Sequence, residues 1–177
     1  MPEDFLIRRR KATPKTRCAG RNIINSPANE KNSQFEFVSN SPRDTLAIGR
    51  KIAALLAAGS CLALKGNLGS GKTCLTRGIA RGLGIKENIT SPTYTVINEY
   101  QSTDPPCPFY HIDAFRLDAG RDFEDIGGME IIYSDGISVI EWSERIEKFL
   151  PDNAIIVSLE ITGPSSRLIK IKGLGKI

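Results

Sequence analysis

One stretch limits this chain more than any other. Cys61-Leu62-Ala63-Leu64 is a short apolar run, Gly66-Asn67-Leu68-Gly69-Ser70-Gly71-Lys72-Thr73 comes directly after it, and a helical pattern from Thr73 to Leu83 follows. The octet satisfies G-x-x-x-x-G-K-[ST] at every fixed position, and it stands between a buried strand and a helix, the context that makes such a match meaningful. Its glycines allow backbone angles and close approach that a side chain would block. Successive N–H groups can then turn inward around phosphate oxygens, in the favourable field of a helix N-terminus. Lys72 adds a point charge for the β- and γ-phosphates, and the Thr73 hydroxyl is a hard oxygen suited to Mg²⁺. The N-K-x-D segment by which many P-loop proteins select guanine is absent from the sequence, so ATP is the favoured nucleotide.

The surrounding pattern is α/β. Phe35–Val38 alternates like a strand. Ser41-Pro42 opens a helix, with Ser as N-cap and Pro in the first turn. Ile48, Ile52, Leu55 and Leu56 share one face of that helix, and Gly59 is its expected stop. Tyr94–Tyr100, Phe109–Ile112 and Ile137–Ile140 read as strands, Asp122–Ile126 and Trp142–Phe149 as helical, with Pro151 closing the latter. Ile155–Ile161 and Leu168–Ile171 form a last strand pair around a Gly163-Pro164 turn. The expected fold is a P-loop NTPase-like three-layer sandwich, with a mostly parallel sheet and a C-terminal antiparallel pair.

Composition removes other classes. The chain has 177 residues, 40% apolar and 25% charged, which is ordinary for one globular domain. No apolar run approaches the roughly 18 residues of a membrane-spanning helix, and no membrane association is expected. Residues 1–34 hold 8 Lys/Arg against 3 Asp/Glu, while the rest hold 16 against 17. The basic excess, with Arg8-Arg9-Arg10-Lys11 at its centre, thus lies in a leader without apolar periodicity. Residues 1–34 are expected to be a disordered extension and 35–177 the ATPase domain. The leader has no secretory core, and Glu3 and Asp4 count against a transit peptide, so a cytoplasmic location is expected. The body has no basic stripe to suggest direct nucleic-acid binding. Cys18, Cys61, Cys74 and Cys107 have no C-x-x-C spacing and only one histidine accompanies them, so a zinc site lacks ligands and reduced thiols are expected.

A phosphate loop of this kind needs a carboxylate at a strand end for the metal shell or for orienting water. Asp113, Glu141 and Glu160 each end an apolar run. Glu160 is the weakest of the three, because its strand continues through Ile161; spacing alone does not rank the other two. Taken singly, the remaining motifs have plain readings. Ser91-Pro92-Thr93 is a turn, His111 a packed strand residue, Trp142 a core anchor and the basic leader a solvated tail.

Together, in this order, the motifs are more specific. Gly66–Thr73, Ser91-Pro92-Thr93-Tyr94, His111-Ile112-Asp113-Ala114-Phe115-Arg116-Leu117 and Glu141-Trp142 resemble the TsaE (YjeE) family, small bacterial P-loop ATPases of tRNA threonylcarbamoyladenosine biosynthesis. The resemblance runs from about Phe35 to the C-terminus. It implies nucleotide contacts along Leu68, Gly69, Ser70, Gly71, Lys72, Thr73 and Cys74, and Mg²⁺ contact at Thr73. It puts Thr93 in a switch-like loop near the γ-phosphate and the metal. It makes Asp113 part of the catalytic or metal shell, Glu141 a Mg²⁺-linked carboxylate and Trp142 a neighbour of the nucleotide. Arg167 would help bind the nucleotide and Thr45 would approach the base. Lys72, Asp113 and Glu141 are the expected catalytic set, with ATP and Mg²⁺ as the bound species.

Two positions depart from the family's usual residues: Asn67 stands where Asp is common, and Cys74 where Thr is. Neither removes a phosphate-loop group. The implied activity is ATP hydrolysis, weak alone and stimulated by a complex of TsaB and TsaD, with tRNA engaged through that complex. The rival readings are a small-molecule kinase, disfavoured because an Arg-rich lid is missing after the loop's helix, and a nucleotide-gated binding module with negligible hydrolysis.

Overall fold

The computed structural model describes residues 34–102, 106–117 and 121–174. Apart from Gln34, the expected disordered extension lies outside the described residues, as do Cys18 and the basic cluster at its centre.

Seven strands form one sheet: β1 (Gln34–Ser39), β2 (Cys61–Lys65), β3 (Ile97–Gln101), β4 (Pro108–Asp113), β5 (Ile137–Glu141), β6 (Ile155–Ile161) and β7 (Arg167–Lys172), in the order β1-β7-β6-β2-β5-β4-β3. The strands β6, β2, β5 and β4 are parallel neighbours. Both flanks are antiparallel: β3 on β4 at one edge, β7 on β6 and β1 on β7 at the other. The expected mostly parallel sheet and closing antiparallel pair are both present. The first strand's return to the last was not foreseen.

Helices cover both faces. On one, α1 (Pro42–Ala53) and α2 (Lys72–Gly82) bury Ile48, Ile52, Leu75 and Ile79 against Leu62, Leu64, Val139 and Val157. On the other, α3 (Arg121–Asp125), α4 (Gly128–Ile132) and a 3-10 segment (Ser143–Phe149) bury Phe123, Ile132 and Ile146 against Cys61, Ile112 and Ile140. Each fully buried side chain of this size contributes roughly 1.5–3 kcal/mol. The central strand β2 is buried almost throughout, so the loop that follows it leaves from the middle of the core.

Local chemistry sets the helix ends. Ser41 is extended and its side chain accepts from the Asp44 N–H at 3.2 Å, with Pro42 in the first turn. Two glycines let α1 and α2 touch backbone to backbone. A Cβ on Gly49 would lie 2.6 Å from the Leu75 carbonyl oxygen, and one on Gly78 would lie 2.5 Å from that of Leu46.

The structure trims several expectations. The helix α1 ends at Ala53, and Leu55 and Leu56 reach the core from tightened turns, donating to Ile52 and Ala53. The apolar period outlasts the helix because packing continues where i→i−4 bonding does not. Gly59 lies beyond the helix, with φ +77° and its N–H shared between Asp135 and Gly136. Tyr94–Val96 is a turn and β3 starts only at Ile97, because Thr93 is drawn to Asp113 and Val96 turns the chain at φ +62°. The five-residue α4 was not foreseen, being too short to show a helical period.

Candidate active site at the carboxyl edge of the sheet

The loop Gly66–Gly71 leaves the carboxyl end of β2, and Asp113 and Glu141 stand at the carboxyl ends of β4 and β5. The register pairs Glu141 with Leu64 on one side and with Asp113 on the other. Open α/β sheets place their ligands at this edge.

The loop leaves the N-terminus of α2 without a side-chain cap, while the Ser70 N–H donates to the Asn67 carbonyl at 3.1 Å. Gly71 precedes α2 at φ +101°, no side chain caps the helix, and no acidic residue occupies its first turn. Gly66 has φ +148°, and a Cβ there would lie 2.5 Å from the Leu159 carbonyl oxygen and 2.8 Å from Ser70 Oγ. Ser70 Oγ is buried and has no hydrogen-bond partner among the described residues. Lys72 folds back over the loop, its Nζ donating to the carbonyls of Gly66 at 2.6 Å and Asn67 at 3.1 Å. Burial lowers the Lys72 pKa from its ordinary value, while nearby Glu141, Glu144 and Asp113 oppose that shift and favour the ammonium. Its Nζ also lies 3.7 Å from the centre of the Trp142 ring.

Trp142 gets there by an unusual route. It follows Glu141 directly and turns left-handed at φ 58° and ψ 39°. Such a backbone costs a non-glycine residue about 1–2 kcal/mol. The indole also packs on Phe115, with ring centres 5.0 Å apart.

The acids are tightly bonded. Glu141 is 3% exposed. Its Oε2 accepts from Thr73 Oγ1 at 2.9 Å, and its Oε1 lies 2.7 Å from His111 Nε2. Asp113 accepts at Oδ2 from Ser91 Oγ at 2.9 Å and Thr93 Oγ1 at 2.8 Å, and at Oδ1 from the Phe115 N–H at 3.0 Å. The expected residues Lys72, Thr73, Thr93, Asp113, Glu141 and Trp142 therefore meet at one edge. Glu160 does not join them; it lies on β6, on the other side of β2, with its carboxylate 3.5 Å from the Lys170 ammonium of β7.

Beside the loop, Thr45, Gly71, Cys74, Pro164 and Arg167 line a shallow pocket of about 150 Å³. Arg167 donates to the Gly69 carbonyl at 3.2 Å. Thr45 is buried and its Oγ1 is bonded to Ser39 Oγ at 2.7 Å, so its hydroxyl is already engaged. Cys74 Sγ reaches the Pro42 carbonyl at 3.5 Å, and burial raises its thiol pKa. Leu68 sits on the loop's outer rim, 82% exposed.

Sequence reasoning passed over three participants. His111 was read as packing, Ser91 as part of a turn, and Phe115 was given no role of its own. The available signal was the period of two in His111-Ile112-Asp113, which puts the imidazole on the same sheet face as the acid.

Hydroxyl and carboxylate oxygens at Thr73, Glu141 and Asp113 suit a hard divalent cation. Among the described residues no group of three or more His, Cys, Asp or Glu side chains could hold a metal by itself. The orphaned Ser70 hydroxyl, the tight cradle at Gly66 and the buried ammonium fit a phosphate chain.

Comparison with known proteins gives the family. The family described as "Threonylcarbamoyl adenosine biosynthesis protein TsaE" matches residues 39–169. The tRNA threonylcarbamoyladenosine biosynthesis protein TsaE of Treponema pallidum is 42% identical over 134 residues, covering 76% of this chain and 97% of that protein. The Bacillus subtilis protein of the same name is 36% identical over 142 residues, covering 80% of this chain and 87% of its own. The crystal structure of Bacillus subtilis YdiB superposes with a TM-score of 0.67 at 33% identity, covering 81% of this chain and 87% of that one. With the match spanning the phosphate loop and both acids, the chain belongs to the TsaE family.

Proposed function

We propose that this protein is a Mg²⁺-dependent ATPase that serves threonylcarbamoyladenosine modification of tRNA, working with a TsaB–TsaD complex. The observation that carries the proposal is the meeting of the phosphate-loop Thr73 with Glu141 at 2.9 Å, next to Asp113 on the adjoining strand.

The phosphate chain of ATP would lie in the amides of Leu68–Thr73, with Ser70 Oγ available to it. Lys72 would exchange its two carbonyl contacts for phosphate oxygens, where its charge acts against the negative charge of the γ-phosphoryl group. Thr73 and Glu141 would hold magnesium, with Thr93 and Asp113 beside it, and that ion supplies charge neutralisation at the phosphates. Asp113 or Glu141 would orient the attacking water. Phosphoryl transfer asks mainly for such positioning and neutralisation. Arg167, Cys74 and Thr45, around the shallow pocket, would receive the nucleoside end; Thr45 would contribute shape through its methyl group.

The site is open on its outer side. Leu68, Tyr94 and Phe115 are exposed apolar residues around it, 82%, 77% and 43% accessible. Arg116 stacks on Tyr94 at 4.6 Å and Arg145 on Phe115 at 5.4 Å. Aromatic and arginine side chains of this kind are favoured at protein interfaces. A rim completed by partners would make turnover weak in the protein alone and stimulated in the assembly. The location proposed is cytoplasmic; among the described residues no helix is long and apolar enough to cross a membrane.

The test is reconstitution. ATP turnover by the purified protein is measured alone, then with TsaB, TsaD and tRNA, while threonylcarbamoyladenosine is quantified in the tRNA. A rise in both is expected on assembly. Turnover that stays flat with the partners present would overturn the proposal.

A further inference from the structure

We infer that His111 is a positioning residue: its Nε2–H fixes one carboxylate oxygen of Glu141 so that the other faces Thr73. The inference rests on the reading of Thr73 and Glu141 as the magnesium edge of an ATP site. It gives a function to a side chain that the sequence assigns to packing.

The placement follows from register. His111 lies opposite Val139, and Asp113 opposite Glu141, on the parallel pair β4 and β5. With a period of two, His111 and Asp113 share one face of β4, the face on which Val139 packs toward α1 and α2. Thr73 enters that same layer from the first turn of α2. His111 is 0% exposed and Glu141 3%. At this depth a carboxylate oxygen without a donor is costly. Thr73 supplies a donor to Oε2 only, and Oε1 lies 2.7 Å from His111 Nε2. Without the imidazole the carboxylate would be free to rotate, and its hold on the Thr73 hydroxyl would loosen.

The geometry also assigns the tautomer. An ionised carboxylate only accepts, so the hydrogen belongs on Nε2. His111 Nδ1 is buried with no hydrogen-bond partner among the described residues. A bare lone pair there leaves an acceptor unused, whereas an N–H would be an orphaned buried donor. The neutral Nε2–H form meets both conditions.

Two variants and one spectrum test this. His111→Leu keeps bulk and removes the donor; His111→Gln puts an amide N–H within similar reach. In the assembly with TsaB, TsaD and tRNA, His111→Leu is expected to lower kcat about 10- to 100-fold, the usual scale for a residue behind a metal ligand. It is also expected to raise the Mg²⁺ concentration for half-maximal turnover several-fold. ADP binding in EDTA, followed by calorimetry, should stay within about twofold of wild type, since His111 touches no phosphate-loop amide. His111→Gln should recover most of both losses. Wild-type kcat and Mg²⁺ dependence in His111→Leu, or equal damage in both variants, would overturn the assignment.

The spectrum needs no variant. His111 is the only histidine in the chain, so the imidazole ¹⁵N signals of the folded wild-type protein belong to it alone. A protonated Nε2 and bare Nδ1 are expected, and hydrogen on Nδ1 alone refutes donation from Nε2–H to Glu141. Absence of turnover in the wild-type assembly would instead sink the ATPase reading, and the spectrum would still decide the His111 contact.

Discussion

Glu141 and Lys72 are both buried charges, and each is tolerable only because the other groups of the edge surround it. Removing Glu141 leaves the loop amides and Lys72 in place. Glu141→Ala should therefore still bind ATP, while turnover in the assembly falls by about 100-fold or more, a single-turnover measurement separating the two effects. Lys72→Ala removes the one ammonium that the loop itself holds. A charged hydrogen bond of this kind is worth about 1.5–3 kcal/mol, so nucleotide affinity should drop at least tenfold by calorimetry. Trp142 is the only tryptophan, and its ring lies against the Lys72 ammonium. When Lys72 moves onto a phosphate that contact changes, so tryptophan emission should shift on titration with ATP. In Lys72→Ala the same titration should be flat. The places of Lys72 and Thr73 in the loop were legible in the sequence because they sit at fixed offsets within one octet. His111 and Ser91 were not, since their partners are distant in the chain, and nothing local says that a strand histidine will meet a glutamate 30 positions on.

Among the elements, the pair α1 and α2 carries the loop. Their axes approach closely enough that Gly49 and Gly78 face opposing backbone. Backbone cannot rotate aside as a side chain would. Gly78→Ala should thus cost about 1–3 kcal/mol of stability despite its better helix propensity, measured as the loss in urea-unfolding free energy. At the other end of the pair, Ser41→Ala removes the cap on Asp44 and should cost about 1 kcal/mol. Ser41-Pro42 was readable because capping is local chemistry. The close crossing was not, because a glycine inside a helix looks the same whether it faces solvent or a neighbour. The strand β3 was read three residues too early for a similar reason: Tyr94–Val96 has β-type residues, but the hydrogen bonds of Thr93 to Asp113 pull the segment into a turn.

At the scale of the molecule, the first and last strands of the chain pair at one edge of the open sheet. The first strand β1 pairs along its whole length with β7, from Gln34 opposite Lys172 to Ser39 opposite Arg167. A chain begun at Gln34 keeps all of β1. One begun at Ser41 should unfold at lower urea, having exposed β7 and the core beneath Phe35 and Phe37. Ligand linkage is the other global readout. A nucleotide that binds only the folded state adds RT ln(1 + [L]/Kd), about 2.7 kcal/mol at one hundred times Kd. Mg²⁺ with ADP should raise the melting temperature of the wild type and leave that of Lys72→Ala nearly unchanged.

Local chemistry, written in consecutive residues, determined the phosphate loop, the caps, the buried strands and the α/β class. Each depends on backbone freedom, hydrogen bonding or periodicity within a few positions, and those forces act before the chain is compact. Which acid meets which hydroxyl was decided by the tertiary structure. Asp113 and Glu141 became neighbours through parallel pairing of β4 and β5, and Thr73 met Glu141 because α2 starts where β2 ends. Glu160, on a strand paired to the other side of β2, was carried away from them. Strand order is a property of the whole sheet, set by which faces the helices must cover, and no short stretch of residues encodes it.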